Sequence, residues 1–414
     1  MTTATAFDPA TFDPASFDPH APDFIKNPYP YYAWFRQHEP VFWVGAPYNS
    51  FWLFKYDDVD GVLRGTDTWL KNSPVPHGTP PPGFDVLGNL PAGIFTLDNP
   101  RHDQVRSQLE PLFGEAISDI DPVAAAIASA QVADFGQRRR IELIENFALP
   151  MPAKALCHVL GVPAYDWPVI MQWVLAILLA DDPTRGLAVL GAGGTSTMAL
   201  HTYYHALLTG GAVNPADAKM IALMKGIIER EPAFISSDEV IANAVTMSIA
   251  GYYSTTFLIG TGTLNLLNNP NAMEQLRASI KAGETGLLNN AVGEMLRYDG
   301  PVQLIDRYAA DEITICGKTM PKGQKVTVVT GSANWDETVF PSPQRFDIER
   351  DTSKMLSFGD GIHRCLGEPL ARRTTPAALK ALLTELPAFE LGGLPQWQTD
   401  PYLRAVSNLP ISFG

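Results

Sequence analysis

The hydrophobic positions change period along the chain, and the changes predict its elements. From Pro28 to Leu70, apolar segments such as NSFWLFKY predict a small β-sheet, followed by a helix over DDVDGVLRG. Residues 100–290 read as mostly helical, with breaks at 181–186 (DDPTRG) and 209–218 (TGGAVNPADA). EITICGKTMPKGQKVTVVTGS, at 312–332, alternates apolar and polar residues around a PKG turn and reads as a β-hairpin. Another helix follows Gly367, and the terminal SNLPISF reads as a strand. The sum is mainly α with a smaller β portion. One stretch fits this pattern badly. IAGYYSTT, at 249–256, lies inside a long apolar helical segment, yet its β-branched residues cost helix propensity and its buried hydroxyls need partners.

Two segments stand apart from the helical body. The first 20 residues hold FDPAT, FDPAS and the start of FDPHA, a five-residue repeat too short to bury a core, so they read as an extended arm. Residues 71–96 hold PVPHGTPPPGFD, a Pro- and Gly-rich loop too long for a simple connector and of the kind that carries function.

Composition narrows the class. The 414 residues are 46% hydrophobic and 18% charged, which describes a large globular body rather than a disordered chain. A net charge of −14 argues against nucleic acid and against an acidic membrane surface. Cys157, Cys316 and Cys365 lie far apart, so neither a disulfide framework nor a cysteine-rich zinc site follows. The start of the chain has no signal-like core and no stretch reaches spanning length; VIMQWVLAILLA, at 169–180, is too short. A soluble cytoplasmic protein is the expectation.

The candidate chemistry lies in SFGDGIHRCLG, at 357–367, a glycine-punctuated loop that delivers one cysteine to the start of a helix. Helix-start N–H donors, with His363 and Arg364 adjacent, favour a thiolate at Cys365. Such a thiolate is a nucleophile or a metal ligand, and a buried structural cysteine is the plain alternative. No protease-like Cys–His motif accompanies it.

FGDGIHRCLG resembles the heme-binding loop of the cytochrome P-450 superfamily, F-G-x-G-x-H-x-C-x-G, matched at Phe358, Gly359, Gly361, His363, Cys365 and Gly367. GEMLRYDGPV carries Glu294 and Arg297 on one helix face and is similar to the family's E-x-x-R helix, with Arg350 of FDIER as the third member of a buried network. The resemblance implies a triangular helical body, with heme buried between a long central helix and the cysteine-loop helix. It implies one catalytic domain over 21–414 and Cys365 as axial thiolate to heme b, iron protoporphyrin IX. His102, Arg106, Arg307 and His363 would hold the heme propionates, while Phe358, Gly359 and Gly367 would pack beside the ligand loop.

The family's oxygen-activating helix carries A-G-x-[D/E]-[T/S]. Ala250 and Gly251 match its start, but Tyr253 falls at the acid position and Ser254 at the alcohol, with Thr255 reached by a one-residue slip. No Asp or Glu occurs between Val240 and Met273. The resemblance therefore implies a monooxygenase using O2, with proton delivery through Ser254, Thr255 and water. Peroxide-driven oxidation or oxidative coupling is the alternative, a heme sensor or carrier a further one, and a cysteine-dependent hydrolase a third class. Phe95, Met247, Ala250, Tyr253, Val302, Leu304, Ile305 and Val406 would line an apolar substrate pocket. Electrons would come from NAD(P)H through a separate ferredoxin or flavodoxin docking near Arg364, Arg372 and Arg373, on a monomer. Pro376, inside the last helix, invites a kink without a functional account.

Overall fold

The computed structural model describes residues 7–75, 92–180, 186–210, 219–231, 234–386 and 388–413. Most of the Pro- and Gly-rich loop, and most of both predicted helix breaks, lie outside these residues. Helices α1 (Pro22–Lys26) and α2 (Tyr29–His38) lead into strands β1 (Val41–Val44) and β2 (Ser50–Leu53), helix α3 (Tyr56–Arg64) and strand β3 (Trp69–Leu70). The helical body follows with α4 (Arg101–Ala116), α5 (Ile120–Ala133), strand β4 (Arg140–Glu142) and α6 (Pro150–Leu160). It continues through α7 (Trp167–Ala180), α8 (Leu187–Thr209), α9 (Met220–Arg230), α10 (Ser237–Asn268), α11 (Pro270–Lys281) and α12 (Gly286–Asp299). Strands β5 (Leu304–Ala309), β6 (Ile313–Ile315), β7 (Lys318–Met320) and β8 (Lys325–Val329) precede α13 (Thr330–Ala333) and α14 (Glu368–Glu385). Strands β9 (Phe389–Leu391), β10 (Gln396–Trp397), β11 (Val406–Asn408) and β12 (Pro410–Phe413) close the chain.

One sheet runs β1-β2-β8-β5-β3, and β12 lies between β4 and β9 in another. The predicted hairpin at 312–332 forms differently. Its turn is Cys316-Gly317, both with positive φ (49° and 75°), which suits a tight two-residue connection between β6 and β7. The PKG segment instead redirects the chain into β8, which pairs with β2 and β5.

From Phe7 onward the amino-terminal arm lies on the body. Asp8, Asp13 and Asp18 each accept the amide two residues on (3.0, 3.0 and 2.9 Å), so each repeat folds into a small Asx turn. Each turn projects its phenylalanine onto the body. Phe7 packs on Tyr31, Phe12 on Trp34 and Phe17 on Phe35, with ring centroids 4.1, 5.0 and 5.0 Å apart.

Helix α10 is the axis of the fold. A capping box at Ser236 and Glu239 starts it, and its 32 residues give a rod of about 48 Å. The awkward hydroxyls are satisfied within the helix. Ser254, Thr255 and Thr256 donate back to the carbonyls of Ala250, Gly251 and Tyr252 at 2.8, 3.5 and 3.0 Å. Helix α14 runs unbroken through Pro376.

Buried ion pairing ties α12 to the segment before the cysteine loop. The Glu294 carboxylate accepts from Arg297 Nε and one of its terminal nitrogens at 2.7 and 2.8 Å, and from Arg350 Nε at 3.3 Å. Arg297 also donates to the carbonyls of Asn334 and Pro343, while the Asp347 amide donates to Glu294. Removing one charge strands the other in a dry interior. Glu294→Gln should therefore lower stability by about 3–5 kcal/mol, read as a fall in the urea midpoint. Arg345→Gln breaks only the exposed 3.6 Å pair with Asp347 and should cost about 0–1 kcal/mol.

Candidate heme site

The cysteine loop is held from several sides before any side chain acts. Gly359 and Gly361 both have φ +67°, and a Cβ at Gly361 would sit 2.4 Å from the Leu63 carbonyl oxygen of α3. Arg64 of α3 reaches Asp360 at 2.6 Å. From α4, one terminal nitrogen of Arg106 donates to the carbonyls of Ile362 and Arg364 at 3.3 and 2.7 Å. The Cys365 amide donates to the Phe358 carbonyl at 2.9 Å, closing the loop on itself.

Cys365 is solvent-accessible although the chain packs densely around it. Burial raises the thiol pKa, while the amides of Gly367 and Glu368 at the start of α14 donate toward the sulfur and oppose the rise. A buried thiol raised in this way is a poor free nucleophile, which weighs against a hydrolase. It becomes a thiolate when a cation binds it.

Beside it converges a group of buried donors. His102 and His363 lie with ring centroids 4.4 Å apart, and the Nε2 of each is buried with no partner. Arg307 is 3% exposed and donates from one nitrogen to the Asp306 carbonyl at 2.9 Å. Burial pushes its pKa down to about 10. His363 is pushed down to about 3, first by burial and then by Arg307, His102, Lys71 and Arg106. Two unpartnered imidazole nitrogens in a cluster of cations that disfavour further positive charge are what two carboxylates would satisfy. Thiol, glycine cradle and orphaned donors together fit a heme.

Lys71 was not apparent from sequence spacing. Its amide and that of Asn72 donate to Asp98 at 2.7 and 3.0 Å, and Asp98 also attracts Arg307. The only sequence signal was the position of Asp98, four residues before His102. Arg106 differs from its expected role, since its guanidinium spends donors on the loop carbonyls and on Glu110 at 3.1 Å. It clamps the loop as well as adding charge.

Helix α10 opens locally. Ala250 is exposed in mid-helix, and Thr246 and Ser254, one turn to either side, are half-buried. Thr255 is 7% exposed and lies about 140° around the helix from Ala250, so the slipped alignment that gave it a catalytic role fails. Gly251 faces Leu156, whose side chain would lie 3.3 Å from an added Cβ. Tyr253 lies about 60° from Ala250, 7% exposed, between the rings of Tyr252 and Phe257, each 5.4 Å away. Burial raises its phenol well above the ordinary value.

Of the expected pocket residues, Phe95 is 54% exposed with Lys71 Nζ 4.0 Å over its ring, Val302 and Ile305 are half-buried, and Met247 borders the open face. Leu304 and Val406 are corrected. Leu304 packs in the aromatic cluster with Trp52 and Tyr32, and Val406 is fully buried beside Thr261, so neither borders a void. The docking arginines are also corrected. Arg364 and Arg372 both pair with Glu368 (2.9 and 2.8 Å) and Arg373 pairs with Asp121 (2.6 Å), so they form no strongly basic patch. A cleft of about 880 Å³ lined by Tyr29, Asn265 and Trp397 includes neither Cys365 nor any of the expected propionate residues.

Fold and site together define a heme-thiolate protein. A family model described as cytochrome P450 matches residues 217–391. Vitamin D(3) 25-hydroxylase of Pseudonocardia autotrophica is 30% identical over 405 residues, covering 94% of this chain and 95% of that protein. The biotin biosynthesis cytochrome P450 of Bacillus subtilis (strain 168) is 28% identical, covering 94% and 97%. A solved structure of P450BioI in complex with hexadec-9Z-enoic acid ligated acyl carrier protein superposes with a TM-score of 0.85 at 26% identity, covering 95% of this chain and all of that one. CYP267B1, a myxobacterial cytochrome P450 solved with myristic acid, gives the same score and identity, covering 95% and 98%. The chain belongs to the cytochrome P450 family and is a P450 monooxygenase. Membership implies heme, O2 and electrons from a redox partner; no described helix is long and apolar enough to cross a membrane.

Replacing two of these buried donors in His102→Leu/Arg307→Leu should lower bound heme per purified chain while leaving the far-ultraviolet circular dichroism unchanged. Full heme content in the double variant would remove these residues from the propionate role.

Proposed function

We propose that this monooxygenase inserts one oxygen atom of O2 into a mid-sized, mostly apolar small molecule. The other atom leaves as water, so an electron pair and protons enter from outside, the electrons from NAD(P)H through a ferredoxin or flavodoxin in the cytoplasm. The observation that carries this reading is the opening of α10 at Ala250, flanked by Thr246 and Ser254, inside an otherwise buried helix. Relatives that hydroxylate vitamin D(3) or are solved with myristic acid favour an apolar substrate of that kind.

Heme supplies oxygen binding and activation when bound at Cys365. Ala250 leaves room on the open face, and Phe95, Met247 and Ile305 offer apolar contact. Ser254 supports the alcohol role best. Its proton is held by the Ala250 carbonyl at 2.8 Å, so its lone pairs are turned to the open side to accept from ordered water. Tyr253 is packed between rings and holds its proton too tightly to act as an acid.

Peroxide-driven oxidation remains the second reading because α10 has no carboxylate between Val240 and Met273. A screen for the low-to-high-spin shift of the ferric protein identifies ligands. With such a ligand and a reconstituted redox chain, Ser254→Ala should give about tenfold or more less product per NAD(P)H oxidised, while Tyr253→Phe stays near wild type. Wild type that turns over with peroxide but not with the redox chain would establish the second reading. No turnover with either would favour a sensor or carrier.

A further inference from the structure

We infer that the outer face of the α7–α8 hairpin is a weak, isologous interface with a second copy of this chain. The face is unusual in its charge. From Trp167 to Ala180 and from Leu187 to Thr209 the sequence contains no Asp, Glu, Lys or Arg, in a chain that is 18% charged overall. It nevertheless exposes large apolar side chains: Leu175 at 41%, Leu179 at 38%, Leu187 at 71% and Met198 at 49%.

The exposed positions are also ordered. On α7, Gln172, Leu175 and Leu179 are exposed at three- and four-residue spacing. On α8, Gly191, Thr195, Met198 and Thr202 continue the same alternation. This is the period of a coiled-coil seam, with the leucines and Met198 as knobs and the small residues of α8 as holes. The buried sides are already used. Ile170, Val174 and Ile177 of α7, and Leu200, Tyr204 and Leu207 of α8, belong to the main core. Two hairpins brought together about a two-fold axis would complete a four-helix layer, each knob row meeting the partner's small-residue row.

Charge selects the occupant. Acidic carrier or redox proteins need basic groups, and the two helices carry no Lys or Arg. Helices that lie on membranes carry Lys or Arg along the polar side, which α7 and α8 lack. Two copies, each at −14, repel wherever their charged surfaces approach within about a Debye length. An uncharged face lets them meet without that cost. Its size limits the affinity. Helix α7 is about 21 Å long, and two helices span about 20 Å, so each copy covers about 400 Å², half of the roughly 800 Å² per partner of a standard stable interface. The dimer should therefore be concentration-dependent, in contrast to the monomer expected from sequence.

Sedimentation equilibrium of the heme-loaded full chain tests this between about 5 µM and about 500 µM, where so small an interface would titrate. The weight-average mass should rise from 45.1 kDa toward twice that value. Leu179→Lys, and independently Met198→Lys on the other helix, should weaken dimerisation about tenfold or more, with unchanged heme spectra and circular dichroism. A mass fixed at the monomer value up to the highest concentration would overturn the inference, as would dimers that tolerate both lysines. Co-sedimentation with neutral phosphatidylcholine vesicles that either lysine abolishes, without any dimer in solution, would assign the face to a lipid surface instead.

Discussion

The site depends on how the backbone before Cys365 is pinned. A loop with two positive-φ glycines would sample many conformations if left alone. Here Gly361 is pressed against the Leu63 carbonyl of α3, Arg64 grips Asp360, and Arg106 of α4 collects two carbonyls from the far side of the loop. The contacts come from two helices, α3 and α4, while Cys365 leads into a third, so the position of the sulfur is set by the packing of α3, α4 and α14 together. The buried Glu294–Arg297–Arg350 network acts one step further back. Arg350 and the Asp347 amide bind the segment leading to the loop onto α12, and Asn334, whose carbonyl accepts from Arg297, hydrogen-bonds Ser357 and the Leu356 amide at the loop entrance. Ion pairing in the core thus reaches the Cys365 sulfur through backbone, without touching it.

The same division explains what could be read in advance. Cysteine loop, E-x-x-R helix and long apolar helix are local patterns whose meaning lies in a few consecutive residues, and they were legible. So was the mainly helical character with a small sheet. Features decided by azimuth or by distant partners were not. Thr255 and Ser254 are neighbours in sequence, but a 100° step per residue places one in packing and the other beside the opening. Leu304 and Ile305 differ by one step in a strand and fall on different sides of it. Arg364, Arg372 and Arg373 looked like a basic cluster because Asp121, which neutralises one of them, lies some 250 residues away in the chain. The strand after PKG could not be assigned to its neighbours, since its partners β2 and β5 are both remote or reversed in order.

The tyrosine in IAGYYSTT gains a physical explanation from its surroundings rather than from its alignment. A carboxylate at residue 253 would sit between the Tyr252 and Phe257 rings in a buried setting. Its charged form would be strongly disfavoured there. A phenol fills the same space with favourable ring contacts and tolerates a low-dielectric setting in its neutral form. The helix therefore keeps a dry, well-packed flank at residue 253 and leaves polarity to the adjacent open turn. Ser254 stands at that turn, its hydroxyl donating back to the Ala250 carbonyl at 2.8 Å. The proposed route of protons through Ser254 and solvent depends on that turn staying open, because burial at residue 253 disfavours the acid common to the family.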